Sequence, residues 1–160
     1  MINTKKLEDL MANQVVLAEW TEGETLIDAA EVEPIAKELI GLYHQHLANA
    51  RIAYVFKKKA SRKNGRTVLG TMGKTNRKFQ HFANYDYIMT IAYTEWTELS
   101  AKQKIALVDH ELCHAIFDQD NDTYLIQGHT IEEFRQVIDR HGFWMDGIKA
   151  FANSIRQVPE

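Results

Sequence analysis

The sequence is poor in cysteine and has no long apolar run. One cysteine in 160 residues excludes an intramolecular disulfide framework and any metal site built from cysteines alone. No apolar run approaches the roughly 18 residues that a membrane-spanning helix needs, so we expect no membrane partner. The N-terminal segment MINTKKLEDLMANQ lacks the apolar core of a signal peptide, and we therefore expect a cytoplasmic protein.

The length and composition favour one soluble globular domain. Hydrophobic residues make up 45% of the chain and charged residues 26%, which is ordinary for a globular protein. We expect a single α+β domain over residues 1–160. It would have a helical part over about 1–48, a sheet over about 51–94, and the helices that carry the functional site over about 100–155.

Acidic residues are missing from the middle of the chain. Residues 39–85 carry ten Lys and Arg and no Asp or Glu, although the net charge of the chain is −3. A basic surface can neutralise phosphates, and interleaved aromatic residues can stack on bases, so the block 51–78 is a candidate DNA contact. The alternative is a solvated hairpin balanced by the acidic segments. The candidate nucleic-acid residues are Lys57, Lys58, Lys59, Arg62, Lys63 and Arg66.

Alternating and apolar runs predict a small antiparallel or mixed sheet. The predicted strands are Ile52–Phe56, Thr67–Met72 and Tyr85–Tyr93. The first two would form a hairpin around a basic loop, Lys57–Arg66.

Apolar spacing and capping residues predict the helices. Ser100 and Gln103 form a capping box at the start of a helix that continues to about Phe117. Thr130 and Glu133 predict a second capped helix, with Gly142 as its stop. Three further helices are predicted over Thr4–Asn13, from near Pro34, and within Phe143–Ile155.

The main chemical signal is the motif His110-Glu111-Leu112-Cys113-His114, within the predicted helix that begins at Ser100. Histidines four residues apart lie on one helix face and can bind one ion, while the adjacent Glu111 can accept a proton from a metal-bound water. Zinc suits two neutral imidazoles. A surface helix with solvated histidines is the alternative, but the apolar neighbours favour a zinc site. Cys113 points off the ligand face, where a small buried residue is expected.

A catalytic zinc site needs a third protein ligand and one open position. The metzincin position, six residues after His114, is Asp120, which excludes that subclass. Glu132 or Glu133 could be the third ligand, as in zincins whose third ligand is a glutamate on a helix. Capping and the helix dipole, however, already explain glutamates at these positions. We favour His129, which precedes the predicted helix start. His141 is expected to be a cation at a helix end.

The sequence HELCHA is followed by the segment GHTIEEF, which begins with Gly128-His129. Together these two segments resemble the SprT-like zinc metalloproteases, which include Spartan. The sequence is even more similar to the phage metallopeptidase family, over about Ile52–Trp144. The resemblance implies a small zincin-like fold with a short sheet packed on the motif helix. It also implies His110, His114 and His129 as zinc ligands and Glu111 as the catalytic acid/base. The four-cysteine zinc ribbon of some SprT-like proteins is absent.

These observations predict a zinc-dependent peptidase that acts on a protein or peptide substrate, with the zinc-bound water activated by Glu111. If a phage encodes the chain, it would work in the host cytoplasm. Two other functions remain open. One is a nucleic-acid-binding module with a structural zinc, and the other is a protein that interacts with host factors and has no protease activity.

Overall fold

The computed structural model describes residues 5, 6, 9, 19–132 and 134–158, and it is a mixed structure of helices and small sheets. The predicted α+β class is confirmed at this level. The helix expected over Thr4–Asn13 lies largely outside the described residues. Among the described residues, no helix is both long and apolar enough to cross a membrane.

The backbone forms two compact units, the first ending at Gln127 and the second beginning at Gly128. Each unit is described separately, and the single-domain organisation stays a prediction. From residue 19 onward, the first unit contains eight strands, four α-helices and one short 3₁₀ helix, Gln45–Leu47. The α-helices are α1 (Val32–Tyr43), α2 (Arg77–Ala83), α3 (Tyr93–Glu98) and α4 (Ala101–Cys113).

The main sheet of the first unit is mixed and has four strands in the order β1-β2-β6-β5. Its members are β1 (Leu26–Asp28), β2 (Ile52–Lys57), β5 (Gly70–Lys74) and β6 (Tyr87–Ala92). β6 pairs in parallel with β2 and antiparallel with β5. Because β5 is last in the strand order, it is an edge strand of this sheet. Ile52 and Phe56 of β2 and Tyr87, Met89 and Ile91 of β6 are buried in the core.

The predicted hairpin is wrong in its pairing. The residues of the second predicted strand, Thr67–Met72, divide between β4 (Arg66–Val68) and β5, and β5 pairs with β6 and not with β2. The actual hairpin joins β3 (Ser61–Lys63) to β4 within the region expected to be a loop. Its turn, Asn64-Gly65, has positive φ at both residues, as a two-residue hairpin turn requires.

The capping box at the start of α4 is confirmed. The Ser100 hydroxyl accepts from the Gln103 backbone N–H at 3.3 Å, and the Gln103 side chain accepts from the Ser100 N–H at 2.9 Å. The predicted end near Phe117 is wrong, because α4 ends at Cys113 and the chain continues as β7 (Ala115–Asp118). β7 pairs with β8 (Thr123–Ile126) in a second hairpin.

The second unit holds two helices, α5 (Arg135–His141) and α6 (Asp146–Arg156). The helix predicted from Thr130 is wrong at its start, since Thr130 is in a bend and Phe134 is the residue before α5. Glu133, the expected capping partner, lies outside the described residues. Gly142 does end α5, with a φ of +63°. The helix expected within Phe143–Ile155 is present as α6.

Candidate metal centre

Helix α4 carries the motif, and its buried face includes a carboxylate. The buried residues are Ile105, Val108, Glu111 and Leu112, which recur at helical spacing. Glu111 is only 3% exposed, whereas His110 is exposed and His114 is half-buried. The helix therefore directs the motif carboxylate inward and places the two imidazoles nearer to solvent.

His110 and His114 lie side by side at the end of α4. Their ring centroids are 5.2 Å apart, and they offer ligand nitrogens within 4.8 Å of each other. Although the helix ends at Cys113, His114 keeps helical backbone angles (φ −70°, ψ −22°). The spacing of four residues therefore still brings both rings to one side of the helix, as the sequence predicted.

Gln127 holds the end of α4 through three hydrogen bonds. Its backbone N–H donates to the His114 carbonyl at 2.8 Å, and its side-chain Nε2 donates to the Cys113 carbonyl at 2.6 Å. Its own carbonyl lies 2.8 Å from Nδ1 of His114. A carbonyl only accepts, so Nδ1 carries the proton and Nε2 is the nitrogen that can bind a metal. Nothing in the sequence signalled the role of Gln127.

Glu111 packs against a glycine of the edge strand β5. A Cβ atom at residue 70 would lie 2.8 Å from Oε1 of Glu111 and 3.1 Å from its Cγ, so a side chain there would require the carboxylate to move. The absence of a side chain at Gly70 thus makes room for the motif carboxylate. A glycine inside a strand often marks such a close approach, so the sequence did contain a signal for this residue.

The candidate third ligands lie in the second unit. His129 is exposed, and its Nδ1 is 3.5 Å from Oε1 of Glu132, whose side chain is 84% exposed. Glu133 lies outside the described residues. His141 is in the last turn of α5 before Gly142, which agrees with its expected place at a helix end. Which of these side chains acts as a third ligand stays a prediction.

Cys113 differs from expectation, and its neighbour on the helix face, Asp109, contacts a buried histidine. Cys113 is exposed and not buried on the sheet, because α4 turns its neighbour Leu112 into the core in its place. Asp109 Oδ1 lies 2.6 Å from Nε2 of His44, a buried residue that directly follows α1. Partial desolvation and the charge of Asp109 raise the pKa of the Cys113 thiol. The sequence did not single out His44.

The comparison with protein-family models agrees with these observations. Residues 24–156 match the family model described as "Putative phage metallopeptidase". The chain belongs to this family. The name of the family implies a peptidase activity that needs a metal ion, and the structure contains histidines that could bind one. No curated protein and no solved structure matches the chain.

The donor set of this member of the phage metallopeptidase family fits zinc. Two imidazoles lie together, one with its tautomer fixed by a backbone carbonyl, and a carboxylate sits on the adjacent helix position. Zinc accepts neutral imidazole nitrogen and tolerates an incomplete set of protein ligands in catalytic sites. The hydrogen bond from His114 to Gln127 is the kind of outer contact that orients a metal-binding histidine.

The cationic residues of the block 51–78 lie at both ends of strand β2. The carboxyl end of β2 carries Lys57, and the hairpin β3–β4 that follows exposes Arg62, Lys63 and Arg66. Lys58 and Lys59, between β2 and β3, are also exposed. Arg51, at the opposite end of β2, is paired with Asp86 through Nη2 at 2.9 Å.

Proposed function

We propose that the chain is a zinc-dependent peptidase of the zincin type, related to the SprT-like proteases. The observation that carries this proposal is the pairing of His110 and His114 beside a buried Glu111 on one helix. Family membership supports the peptidase class, and the imidazole pair supports zinc as the metal. The substrate would be a protein or a peptide.

We propose His129 as the third zinc ligand. The carbonyl of Gln127 accepts a hydrogen bond from His114, and His129 is only two residues further along the chain. Consecutive Cα atoms are about 3.8 Å apart, so the Cα of His129 is at most about 7.6 Å from that of Gln127. Chain connectivity therefore keeps His129 within reach of the histidine pair. Glu132 is the alternative, because it is also within a few residues of Gln127.

The residues of this chain would share the work of peptide hydrolysis. When bound, zinc polarises a substrate carbonyl and lowers the pKa of water. Glu111 would accept the proton of the attacking water and return it to the leaving amine. Its burial against Gly70 limits the positions that the carboxylate can take. The hydrogen bond to Gln127 would keep His114 in the orientation for binding.

The experiment is to measure metal content and cleavage together. The purified chain should bind about one zinc ion at the histidine pair and should cleave members of a proteome-derived peptide library, detected by mass spectrometry. Chelation should stop the cleavage. Glu111→Gln should retain the metal and lose about 10²- to 10⁴-fold of the activity, because the proton acceptor is removed. Equal cleavage by Glu111→Gln would show that the mechanism is wrong.

Two further variants test the third ligand. His129→Ala should lower the zinc affinity strongly, whereas Glu132→Ala should change it little. The opposite result would assign the position to Glu132. Because both residues are exposed, neither variant should affect the folding of the chain, which thermal unfolding can verify.

A second candidate function is DNA binding by the hairpin β3–β4. It is favoured by the exposure of Arg62, Lys63 and Arg66 on a short hairpin that follows three lysines. Phosphate contacts depend on salt, and each one lost lowers the salt slope of log K by about 0.9 for duplex DNA.

Fluorescence anisotropy with a labelled duplex would test this function. Replacement of the three hairpin cations by serine should weaken binding and reduce the slope. A matched variant that replaces Lys37, Lys102 and Lys149 removes the same charge elsewhere and should keep most of the binding. Equal weakening by both variants, or no binding by the native chain at low salt, would exclude a specific surface.

A further inference from the structure

A second group of metal-binding side chains lies outside the motif. It consists of His44, Asp109 and Cys113, each offering one donor atom, and the three atoms lie within 4.8 Å of one another. We propose that this group, here called the His44 cluster, is a second metal site for a borderline or soft divalent ion such as Zn²⁺ or Cd²⁺. The proposal does not depend on peptidase activity.

The position of the cluster is set by two helices. His44 is the residue that directly follows α1, and Asp109 and Cys113 are four residues apart on one face of α4. His44 is 6% exposed, and its Nε2 lies 2.6 Å from Oδ1 of Asp109. The hydrogen bond therefore orients the imidazole toward Asp109 before any ion arrives, and ion binding would replace this bond by bonds from Nε2 and Oδ1 to the ion.

The donor types select the class of ion. A thiolate, an imidazole and a carboxylate suit zinc, cadmium and cobalt, whereas magnesium and calcium prefer oxygen ligands alone. The negative charges of Asp109 and of the Cys113 thiolate would together balance a divalent cation. Binding would release the thiol proton to solvent, while the imidazole proton would move to Nδ1 and leave Nε2 as the ligand atom.

Solvent can reach the cluster from the side of Cys113. Cys113 is exposed, and the side chain of Asp109 is 36% exposed, so an ion could enter there and keep a water as a fourth ligand. The cluster is separate from the histidine pair. Asp109 and Cys113 each precede a motif histidine by one position, which turns their side chains by about 100° around the helix.

The single cysteine makes the test specific. Any thiolate-to-metal charge-transfer band in the ultraviolet must come from Cys113, because the chain has no other thiol. Titration of the metal-free chain with Cd²⁺ should give a saturable band, with a stoichiometry of one when the histidine pair is removed. Cys113→Ser should abolish this band. His110→Ala combined with His114→Ala should retain it.

The other two donors are tested by affinity. His44→Gln and Asp109→Asn should each weaken Cd²⁺ binding by about 10- to 100-fold. The Asn variant can still accept a hydrogen bond from His44, so it should stay folded even if His44→Gln does not. The control is His46→Ala, which removes a nearby imidazole that donates to the Ala115 carbonyl. It should change the affinity less than twofold.

Three results would overturn the proposal. Unchanged affinity in Asp109→Asn, in the folded chain, would mean that Cys113 binds the ion alone as an adventitious ligand. Loss of the band with the double motif variant would mean that Cys113 responds to an ion at the histidine pair. Absence of a band in the native chain would mean that the cluster does not bind the ion.

Discussion

The imidazole of His114 donates a hydrogen bond from Nδ1 to the carbonyl of Gln127, 2.8 Å away. This bond links the second motif histidine to the residue after β8. It also fixes the tautomer that leaves Nε2 for a metal. The sequence interval between the two residues gives no hint of the contact, because a backbone carbonyl has no signature in the sequence.

We expect Gln127→Ala to weaken metal binding. The side chain of Gln127 donates to the Cys113 carbonyl and so holds its own backbone in place beside His114. Without that bond, zinc affinity should fall by about tenfold, the lower end of the range for outer contacts of metal ligands. Competition with a fluorescent chelator would measure it. Gln119→Ala, an exposed residue in the turn after β7, is the control and should leave the affinity unchanged. Equal affinity in both variants would contradict this role of the Gln127 side chain.

Gly70→Ala should impair catalysis more than metal binding. Its new Cβ would lie 2.8 Å from Oε1 of Glu111, so the carboxylate would have to move. A displaced general base loses part of its contribution of about 10²- to 10⁴-fold, and kcat should fall accordingly. Peptide cleavage and metal content would be compared in the same preparation.

Gly73→Ala is the matched control for Gly70→Ala. It lies on the same strand, and the nearest atom to its added Cβ is the Ile88 carbonyl at 3.9 Å, an ordinary contact. It should keep near-native activity. If both variants were equally active, Glu111 would not depend on the space left by Gly70.

The ion pair between Arg51 and Asp86 should make stability depend on pH. Side-chain hydrogen bonds from Arg51 hold the pKa of Asp86 below its usual value. The folded state therefore binds this proton less readily than the unfolded state, and the contribution is complete above the ordinary Asp pKa of about 4. It is lost as the pH falls through the lowered pKa of the folded state.

We expect Asp86→Asn to lower the free energy of unfolding by about 1.5 to 3 kcal/mol at neutral pH, the range for hydrogen bonds to charged groups. The difference from the native chain should shrink in acid. Urea unfolding at several pH values would measure it. Asp139→Asn is the control, because its pair with Arg135 is exposed and 3.5 Å long. A difference independent of pH would show that the pair is not the cause.

Tyr87→Phe should loosen the β7–β8 hairpin from the main sheet. The buried hydroxyl of Tyr87 donates to the carbonyls of Ile116 and Leu125, at 3.0 and 2.8 Å. Its loss should cost about 1 to 2 kcal/mol of stability, since both carbonyls lose a donor. Thermal unfolding and amide exchange of β8 would measure the effect. Tyr85→Phe, at a 40% exposed neighbour, should be nearly neutral, and a similar loss there would contradict the assignment.

Local signals predicted the parts of the fold that depend on local contacts. The capping box of Ser100 and Gln103 and the helical spacing of the motif histidines need only residues a few positions apart. The end of α4 was predicted wrongly because Ile116 and Phe117 fit a helical stripe as well as a strand. Their pairing with Leu125 and Tyr124 decides in favour of the strand, and that contact is not local.

The candidate site divides in the same way. His110, Glu111 and His114 could be identified from one short motif, whereas Gly70 and His44 come from elements distant in sequence. Edge strand β5 brings Gly70 to Glu111, and the end of α1 brings His44 to Asp109. Such pairs are created by tertiary packing, which overrides what a short window of sequence can specify.

The early end of α4 has an electrostatic effect on the motif. The peptide dipoles of a helix add to a partial negative charge at its C-terminus, which favours cations by about 0.3–1 kcal/mol within the last turn. Because α4 ends at Cys113, His110 lies in this last turn and His114 is the residue directly after it. The backbone itself therefore attracts a metal ion there, and this contribution would persist in a variant that has lost one of its imidazoles.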